Sequence, residues 1–295
     1  MKKFIILIPL YNDWKSVSKL LDEIDNKTKN WVSDVSVVIV NDASTEKVSS
    51  ISESYKKIKL VKILNMKENR VHQRCIATGL KYIYKNENFD FVIVMDADGE
   101  DRPEELNDFY KKTEENPNMT ITGNRFKRSE GFIFKLLYEV HKVLTFIFTG
   151  KLIKFGNFSC LPKSHVGVLI EKVYLWNSYS SAVISAIKDR TFIHSTRGIR
   201  YVLPSKMNFT SLVFHSLAII SVFKKIVIAR SIIFSFIYLF LIIKNISLLT
   251  LLPLFFLILF VFIIHKISKR ENIEEFNKAL NNIDSIDILA SSNSR

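Results

Sequence analysis

The segment from Asp90 to Asp101, DFVIVMDADGED, runs from a continuous apolar stretch directly into a group of carboxylates. Such a run of β-branched and large apolar residues is typical of a strand buried on both faces, as in a parallel sheet. Ligands of these sheets bind beyond the carboxyl ends of the strands, and Asp96 and Asp98 fall at that end. Alternate strand residues lie roughly 6 to 7 Å apart, so both carboxylates can reach one hard cation, Mg²⁺ or Mn²⁺.

The same acidic group has a purely structural interpretation. Pro103-Glu104-Glu105 suits the first turn of a helix, because proline fits the first helical position and acids favour the positive end of the helix dipole. On that interpretation Asp101 serves only the helix. Because a pair of aspartates two residues apart is common by chance, the metal interpretation depends on the surrounding motifs.

The first two hundred residues alternate strand-like and helix-like segments, which is typical of βαβ units and a parallel sheet. Strands are predicted at Phe4–Ile8, Val35–Val40, Ile58–Ile63, Phe91–Met95 and Met119–Thr122, and helices near Trp14–Ile24, Glu46–Tyr55, Arg70–Tyr84 and Pro103–Glu115. Polar residues follow four of these strands, so four loops are expected to meet at one edge of the sheet. The sequence contains neither G-x-G-x-x-G nor a P-loop, which disfavours a dinucleotide site or an NTPase.

The chain is basic, with a formal net charge of +13 and a pI near 9.5. Its lysines are scattered and match no nucleic-acid-binding motif, so anionic lipid and phosphorylated substrates are the expected partners and nucleic acid is not. The two cysteines, Cys75 and Cys160, form neither a disulfide framework nor a metal-ligand cluster, which fits a reducing compartment.

Two long apolar stretches, 226–243 and 246–264, occupy the C-terminal third. Each would span roughly 27 Å as a helix, close to the thickness of the hydrocarbon layer of a membrane. Lysines and arginines flank both ends of the pair, so the positive-inside rule places both ends in the cytoplasm. The alternative is a buried helical hairpin in a soluble core. Two preceding aromatic-rich segments, 132–148 and 206–225, are expected to lie on the membrane surface, with ordinary core packing as the alternative.

Three motifs taken together resemble one family. They are Ile8-Pro9-Leu10-Tyr11-Asn12, Val40-Asn41-Asp42-Ala43-Ser44-Thr45 and Met95-Asp96-Ala97-Asp98-Gly99-Glu100-Asp101, and in this order they resemble the family 2 glycosyltransferases of GT-A fold. The C-terminal hairpin narrows the resemblance to the membrane-bound branch with dolichyl-phosphate mannosyltransferase and the bacterial polyprenyl-phosphate sugar transferases. The stretches 71–80 and 155–159 look like a bacterial subgroup.

The resemblance implies an α/β chain with a Rossmann-like, mostly parallel GT-A domain, followed by amphipathic interfacial helices and a transmembrane hairpin. The expected division is a GT-A domain over 1–205 that includes the interfacial helix 132–148, a juxtamembrane helix over 206–225, transmembrane helices over 226–243 and 246–264, and a cytoplasmic tail over 265–295 whose last residues, 291–295, are disordered.

The resemblance also assigns roles to residues of the first loops. Pro9, Tyr11 and Asn12 are expected to hold the nucleoside, and Asp42 its base. Asp96 is expected to face the ribose and the metal, Asp98 to bind the metal and act in catalysis, and Glu100 to complete the coordination. His72 lies near the expected nucleotide loop. Two departures concern the donor: Asn41 stands where an acid is frequent, and 67–72 replaces a glycine-rich segment.

The chemistry that the resemblance implies is inverting transfer of a hexose from a nucleotide-diphosphate sugar to polyprenyl phosphate, for cell-envelope glycan synthesis. An acceptor phosphate is already ionised near neutral pH, so alignment and charge neutralisation suffice. The cations expected to gather that phosphate are Arg125, Arg128, Arg197, Arg200 and Lys206, each of which taken alone is also compatible with a solvated surface charge. If a sugar hydroxyl were the acceptor, a base would be required, and Asp101 or Glu130 would be the first candidates.

The expected partners are therefore the nucleotide sugar, polyprenyl phosphate or another lipid-linked acceptor, and membrane lipids, while a homo-oligomer stays open. The expected location is the cell (inner) membrane, multi-pass, with the catalytic domain and both termini in the cytoplasm. Two alternatives remain: transfer to a glycan hydroxyl, and a non-catalytic membrane scaffold that retains the nucleotide-binding fold.

Overall fold

The computed structural model describes residues 1–46, 51–52, 55–127, 132–202 and 209–290. The strands are β1 (Lys2–Leu10), β2 (Ser33–Asn41), β3 (Ile58–Met66), β4 (Phe91–Val94), β5 (Thr120–Lys127), β6 (Ser159–Pro162), β7 (Arg190–Thr196) and β8 (Ile283–Ala290). The helices are α1 (Trp14–Thr28), α2 (His72–Asn86), α3 (Leu106–Glu115), α4 (Phe132–Thr149), α5 (Lys163–Ile170), α6 (Tyr179–Ala186), α7 (Phe209–Ser221), α8 (Lys224–Ile242), α9 (Leu248–Ser268) and α10 (Ile273–Asn277). Short 3₁₀ turns lie at Pro103–Glu105, Val173–Trp176 and Ala279–Asn282.

The described residues divide into two compact units. The sheet unit lies within Met1–Ser129, Lys154–Lys206 and Ile273–Arg295, and the helical unit within Glu130–Ile153 and Met207–Asn272. This division differs from the linear one expected from the sequence, because the segment after residue 272 belongs to the sheet unit.

The sheet unit is built on one eight-stranded sheet with the order β7-β5-β6-β4-β1-β2-β3-β8. Strand β1 pairs in parallel with β2 and β4, β2 pairs in parallel with β3, and β5 pairs in parallel with β7. The pairs β4–β6, β5–β6 and β3–β8 are antiparallel. The parallel centre brings the carboxyl ends of β1, β2, β3 and β4 to one edge.

The centre of the sheet is apolar because its strands are covered on both faces. The side chains of β1 from Phe4 to Ile8 are buried, as are those of β4. Helix α1 buries Val17, Leu20, Leu21 and Ile24, a spacing that places them on one helical face. These residues belong to one continuous core cluster with the inward residues of β1 and β2.

Two segments differ from the expectation. The predicted helix over Glu46–Tyr55 falls largely outside the described residues, and the described ones, 46, 51, 52 and 55, are not helical. Residues 265–290 are not a free tail, because they supply the end of α9, α10 and the edge strand β8. The expected disorder of residues 291–295 lies outside the described residues.

The helical unit contains two helices, α8 and α9, that are long and apolar enough to cross a membrane. Their apolar side chains are largely exposed, as Phe240 at 76% and Leu248 at 86% illustrate. A hairpin in a soluble core would bury these side chains, so the soluble-core alternative is disfavoured and the exposed apolar surface indicates a lipid environment. The surface location of α4 and α7 on a membrane stays a prediction.

Helix α4 ends at a glycine that faces an arginine of α8. Gly150 has φ +70°, and an added Cβ there would lie 2.6 Å from Nη2 of Arg230. Arg230 Nη1 donates to the carbonyl oxygens of Ile147 at 2.7 Å and Phe146 at 3.3 Å. The only charged residue of stretch 226–243 therefore binds two carbonyl groups of the last turn of α4, and the carbonyl of Phe146 also accepts the N–H of Gly150 at 2.8 Å.

Candidate active site

The acidic loop after β4 is shaped by its own carboxylates. Asp101 Oδ2 accepts the backbone N–H of Asp96 at 3.0 Å, and Asp98 Oδ1 accepts that of Glu100 at 2.9 Å. Gly99 has φ +84°, and an added Cβ would lie 2.6 Å from the ring of Tyr201. Glycine at this position therefore allows both the left-handed turn and the close approach of Tyr201.

Asp96 is held by side chains from two other segments. Its Oδ1 lies 3.1 Å from His72 Nε2 and accepts from Asn157 Nδ2 at 3.0 Å. Asn157 Oδ1 accepts from Gln73 Nε2 at 3.3 Å, and Gln73 Oε1 accepts from the backbone N–H of Tyr179 at 2.6 Å. A relay of amide groups thus fixes the orientation of Asp96.

A basic segment after β7 lies along the same loop. Arg200 Nη1 is 2.9 Å from Asp98 Oδ2, and Arg197 Nη2 is 2.5 Å from Glu100 Oε2. The backbone N–H of Tyr201 donates to the carbonyl of Asp98 at 2.9 Å, and that of Gly198 donates to the carbonyl of Glu100 at 2.8 Å. The segment therefore supplies positive charge against the two outer carboxylates.

Asp101 lies on the inner side of the loop. Its side chain is 1% exposed, and Oδ1 accepts from Arg125 Nη2 at 3.2 Å. Both of its oxygens are thus hydrogen-bonded within the protein, one to Arg125 and one to the backbone of Asp96.

The structure therefore brings Arg125, Arg197 and Arg200 to the acidic loop, each on a different carboxylate. Arg128, Lys206 and Glu130, which were also singled out in the sequence, lie outside the described residues.

The crowded carboxylates have strongly shifted pKa values. Burial raises the pKa of Asp98 to about 6, and the charges of Asp96 and Glu100 add to the shift. Burial raises the pKa of Asp101 to about 7, with Asp96 adding to it and Arg125 opposing it. Burial also acts to raise the pKa of Asp96, but His72 and Arg125 outweigh it and hold that pKa below its usual range. Additional positive charge at this loop would therefore stabilise the ionised forms.

Two further loops meet at the carboxyl ends of β1 and β2. The Asn12 N–H donates to Ser44 Oγ at 2.9 Å, and Asn12 Oδ1 accepts the backbone N–H of Thr45 at 2.8 Å. Asn12 has φ +49°, a conformation that asparagine tolerates better than most residues. Its neighbour Tyr11 is exposed. Asn12 thus joins the first loop to the second and leaves the ring of Tyr11 open to a ligand.

Asp42 is buried at the end of β2 and is bonded to the loop after β3. Its Oδ1 accepts the backbone N–H of Arg70 at 2.7 Å, and its carbonyl accepts from Asn69 Nδ2 at 3.2 Å. Burial raises the pKa of Asp42, while the N–H of Arg70 and the thiol of Cys75 act against the rise. The loop 67–72, which departs from the glycine-rich pattern, therefore supports Asp42 directly.

The donor set fits a hard divalent cation. Asp96, Asp98 and Glu100 offer oxygen ligands only, and Mg²⁺ or Mn²⁺ takes one or two carboxylates with water and substrate phosphate completing the shell. Among the described residues, no group of three or more His, Cys, Asp or Glu side chains is placed so that it could hold a metal ion.

Three residues of this region have roles that the sequence motifs did not predict. Asn157 and Tyr201 contact residues of the acidic loop, and Gln73 contacts Asn157. An amide or a tyrosine in a loop has no distinctive spacing that would reveal such a role. Asn157 and Gln73 do lie in the stretches 155–159 and 71–80, which resembled a bacterial subgroup, and that resemblance was the only signal available.

Comparison with known proteins places the chain in a family. The sequence model of Glycosyl transferase family 2 matches residues 5–174, a span that contains the loops after β1, β2 and β3 and the acidic loop. The chain belongs to this family, as the three sequence motifs predicted.

Two bacterial relatives carry the same name, undecaprenyl-phosphate 4-deoxy-4-formamido-L-arabinose transferase. The protein of Photorhabdus laumondii is 23% identical over 199 residues, which cover 66% of this chain and 58% of the relative. That of Serratia proteamaculans is 24% identical over 219 residues, which cover 71% of this chain and 62% of the relative. The matched region is thus about three fifths of the length of either relative.

Solved structures share the fold at very low identity. Glucosyl-3-phosphoglycerate synthase of Mycobacterium tuberculosis, with Mn²⁺, UDP-glucose and phosphoglyceric acid bound, matches with a TM-score of 0.56 and 10% identity over 77% of this chain and 80% of that one. Mannosyl-3-phosphoglycerate synthase of Rubrobacter xylanophilus matches with a TM-score of 0.52 and 11% identity over 75% and 72%. The predicted mostly parallel α/β sheet of GT-A type is confirmed.

Proposed function

We propose that the protein transfers a sugar from a nucleotide-diphosphate sugar to a polyprenyl phosphate, with inversion, at the cytoplasmic face of a membrane. The observation that carries the proposal is the acidic loop 96–101, whose carboxylates lie at the same sheet edge as the loops that contain Asn12 and Asp42. Two relatives named as undecaprenyl-phosphate sugar transferases and two exposed apolar helices support the lipid-linked acceptor.

In the proposed donor site each loop has one task. Tyr11 and Asn12 hold the nucleoside, and Asp42 accepts a hydrogen bond from its base. Asp96 faces the ribose, and Asp96, Asp98 and Glu100 hold Mg²⁺ or Mn²⁺, which would stabilise the charge of the leaving diphosphate. The Mn²⁺ and UDP-glucose in the mycobacterial synthase support a divalent cation and a nucleotide sugar as the ligands.

Arg197 and Arg200 are proposed to exchange partners when the donor binds. In the structure they pair with Glu100 and Asp98, and a bound divalent cation would take over the neutralisation of these two carboxylates. The freed guanidinium groups can then donate paired hydrogen bonds to phosphate oxygens, for which their planar fork is suited. This arrangement aligns the acceptor phosphate by charge and needs no strong general base.

Transfer to a glycan hydroxyl is the second candidate, because it would use a carboxylate base such as Asp101. Its pKa near 7 favours such a role, but its burial and its bonds to Arg125 and the Asp96 backbone oppose it, since a base must reach the proton that it removes. We therefore propose that Asp101 positions Asp96 and Arg125, and that a phosphate is the acceptor.

The proposed membrane arrangement is a hairpin of α8 and α9 with both ends in the cytoplasm. Lys224 and Lys225 precede the hairpin, and Lys266, Lys269 and Arg270 follow it, which is the asymmetry of the positive-inside rule. The catalytic domain and both termini would then lie on the cytoplasmic side, where nucleotide sugars are available.

The test is a transfer assay on membranes that contain the protein. Labelled nucleotide sugars are supplied one at a time with polyprenyl phosphate and Mg²⁺ or Mn²⁺, and parallel reactions contain EDTA. The expected product is a labelled lipid that releases its sugar in mild acid. It should not form in the reactions that contain EDTA. An acid-stable product would indicate a hydroxyl acceptor, and no binding of any nucleotide sugar with either cation would indicate a scaffold.

A further inference from the structure

The segment that follows the second apolar helix returns to the sheet unit. Strand β8 pairs with β3 over its whole length, from Leu60 opposite Ala290 to Met66 opposite Ile283. Helix α10 precedes it and packs beside α2 through Phe276, whose side chain is buried. Lys81 of α2 lies 3.3 Å from the centre of the Phe276 ring and donates to the Phe276 carbonyl. Helix α10 is thus anchored at a fixed position beside α2.

Glu275, next to that anchor, carries a negative charge to the start of α2. Its Oε2 lies 3.0 Å from Arg74 Nη1 and 3.6 Å from Arg70 Nη1. The same oxygen accepts a long hydrogen bond from Trp176 Nε1 at 3.4 Å, and the Arg74 guanidinium lies 5.2 Å from the centre of the Trp176 ring. One carboxylate therefore lies against two arginines that are four residues apart in sequence, Arg70 before α2 and Arg74 within it. Arg70 Nη2 also pairs with Glu68.

The residue next to Arg70 has a strained backbone. Val71 has φ +66° and ψ 157°, a region that is essentially restricted to glycine and costs about 1 to 3 kcal/mol for other residues. A β-branched residue stays in such a conformation only when its surroundings hold it there. Arg70 and Arg74, on either side of Val71, are the anchored points.

Both residues that flank Val71 touch the donor site. The Arg70 N–H donates to Asp42 Oδ1 at 2.7 Å, and the His72 ring lies 3.1 Å from Asp96. If residues 70–72 relaxed to an ordinary conformation, the direction of the Arg70 N–H and the position of the His72 ring would both change.

We propose that Glu275 is a positioning residue of the donor site, which acts by holding Arg70 and Arg74 so that residues 70–72 keep Asp42 and Asp96 in place. This inference rests on the proposed nucleotide-sugar transfer. It assigns to the segment after the membrane hairpin a part in donor binding.

The test compares Glu275→Ala and the isosteric Glu275→Gln with a matched control, Glu274→Gln. Glu274 is the neighbouring acid of α10 and pairs with the exposed Lys278. We expect Glu275→Ala to raise the donor KM about 5- to 30-fold, the factor that corresponds to one or two kcal/mol, and to leave kcat close to that of the wild type. Glu275→Gln keeps an oxygen acceptor without the charge and should give a smaller rise, and Glu274→Gln none.

Amide hydrogen exchange supplies a readout independent of activity. In Glu275→Ala the amides of residues 70–75 should exchange faster while those of β1 and β4 stay protected. A general loss of stability would instead speed exchange throughout and lower kcat without a selective rise in donor KM. An unchanged donor KM, or a raised KM without faster exchange at 70–75, would overturn the positioning role.

The two proposals fail in distinguishable ways. If the wild-type protein binds no nucleotide sugar with Mg²⁺ or Mn²⁺, the proposed function fails first. If the wild type transfers sugar and Glu275→Ala matches it in donor KM and exchange, only the role of Glu275 is lost.

Discussion

Large apolar side chains are distributed differently in the two units. In the sheet unit the largest of them, such as Trp14, Phe4 and Phe89, are buried, and charged groups gather at one edge of the sheet. In the helical unit, α8 and α9 expose phenylalanine and leucine along most of their length. The difference indicates two environments: the surface of the sheet unit suits water, and the surfaces of α8 and α9 suit the hydrocarbon layer of a membrane. A charged side chain should therefore be essential in the acidic loop of the sheet unit and strongly unfavourable in the middle of α8 or α9.

The strongest test of essential charge is Asp98→Asn. Removing one negative oxygen while keeping the shape should lower the transfer rate more than about 100-fold, because a metal acting as Lewis acid contributes several kcal/mol. Circular dichroism and carbonate extraction should match the wild type. Asp108→Asn, at an exposed position of α3, is the matched control and should transfer at the wild-type rate. Full activity of Asp98→Asn would remove the metal role.

The test of prohibited charge compares two exposed apolar residues. Ile258, in the middle of α9, is 67% exposed, and Val32, before β2, is 77% exposed. Ile258→Asp should cost about 2.5 to 3.5 kcal/mol of insertion free energy, whereas Val32→Asp should change the free energy of unfolding by less than about 0.5 kcal/mol. Carbonate-resistant membrane association measures the first effect and denaturant unfolding the second. Equal tolerance of the two changes would mean that α9 lies in water.

Within the sheet unit, the hydrogen bonds that orient Asp96 should have a measurable effect on metal affinity. Asn157→Ala removes one donor to Asp96 and should lower Mn²⁺ affinity about 10- to 100-fold, the usual effect of losing a group that orients a metal ligand. Titration followed by electron paramagnetic resonance measures it. Asn107→Ala is the control, because Asn107 accepts from Trp31 Nε1 instead; it should leave Mn²⁺ affinity unchanged. Equal Mn²⁺ affinity in the two variants would exclude the relay.

The smallest effects are expected at two glycines, one in each unit. Gly99 and Gly150 both have positive φ and a close neighbour, so alanine should cost about 1 to 2 kcal/mol at either site. Gly99→Ala should weaken nucleotide binding as well, since it displaces Tyr201 beside the acidic loop. Gly150→Ala should lower the stability of the helical unit and leave nucleotide affinity unchanged. Calorimetric titration with a nucleoside diphosphate separates the two; equal nucleotide affinities would contradict the prediction.

The sequence predicted the local features well. Strands β1 to β4 coincide with the apolar runs, and the acidic loop lies at the expected edge, because a run of apolar residues and the polar group after it are both contiguous in the chain. The two apolar helices are also found where the composition predicted them, with bounds shifted by a few residues.

Features that depend on distant partners were not predicted. Asn65 of β3 and Asp287 of β8 are 222 residues apart in sequence, yet Asn65 Nδ2 donates to Asp287 Oδ2 at 2.8 Å. The sequence of neither segment indicates that the other is its partner. The ion pair of Arg125 with Asp101 was not predicted either. From the sequence, each residue taken alone was compatible with a local role, Arg125 as a surface charge and Asp101 at the start of a helix. The roles expected for Arg125, Arg197 and Arg200 at the acceptor phosphate stay predictions.

The position of β8 has a consequence for synthesis of the protein. The ribosome completes α8 and α9 before it makes the strand that pairs with β3, so the edge of β3 is covered only after both apolar helices have been synthesised. An open strand edge is a template for pairing with other chains, and translation proceeds at about 5 to 20 residues per second. The edge of β3 therefore stays unpaired on the nascent protein for seconds, until β8 has been made.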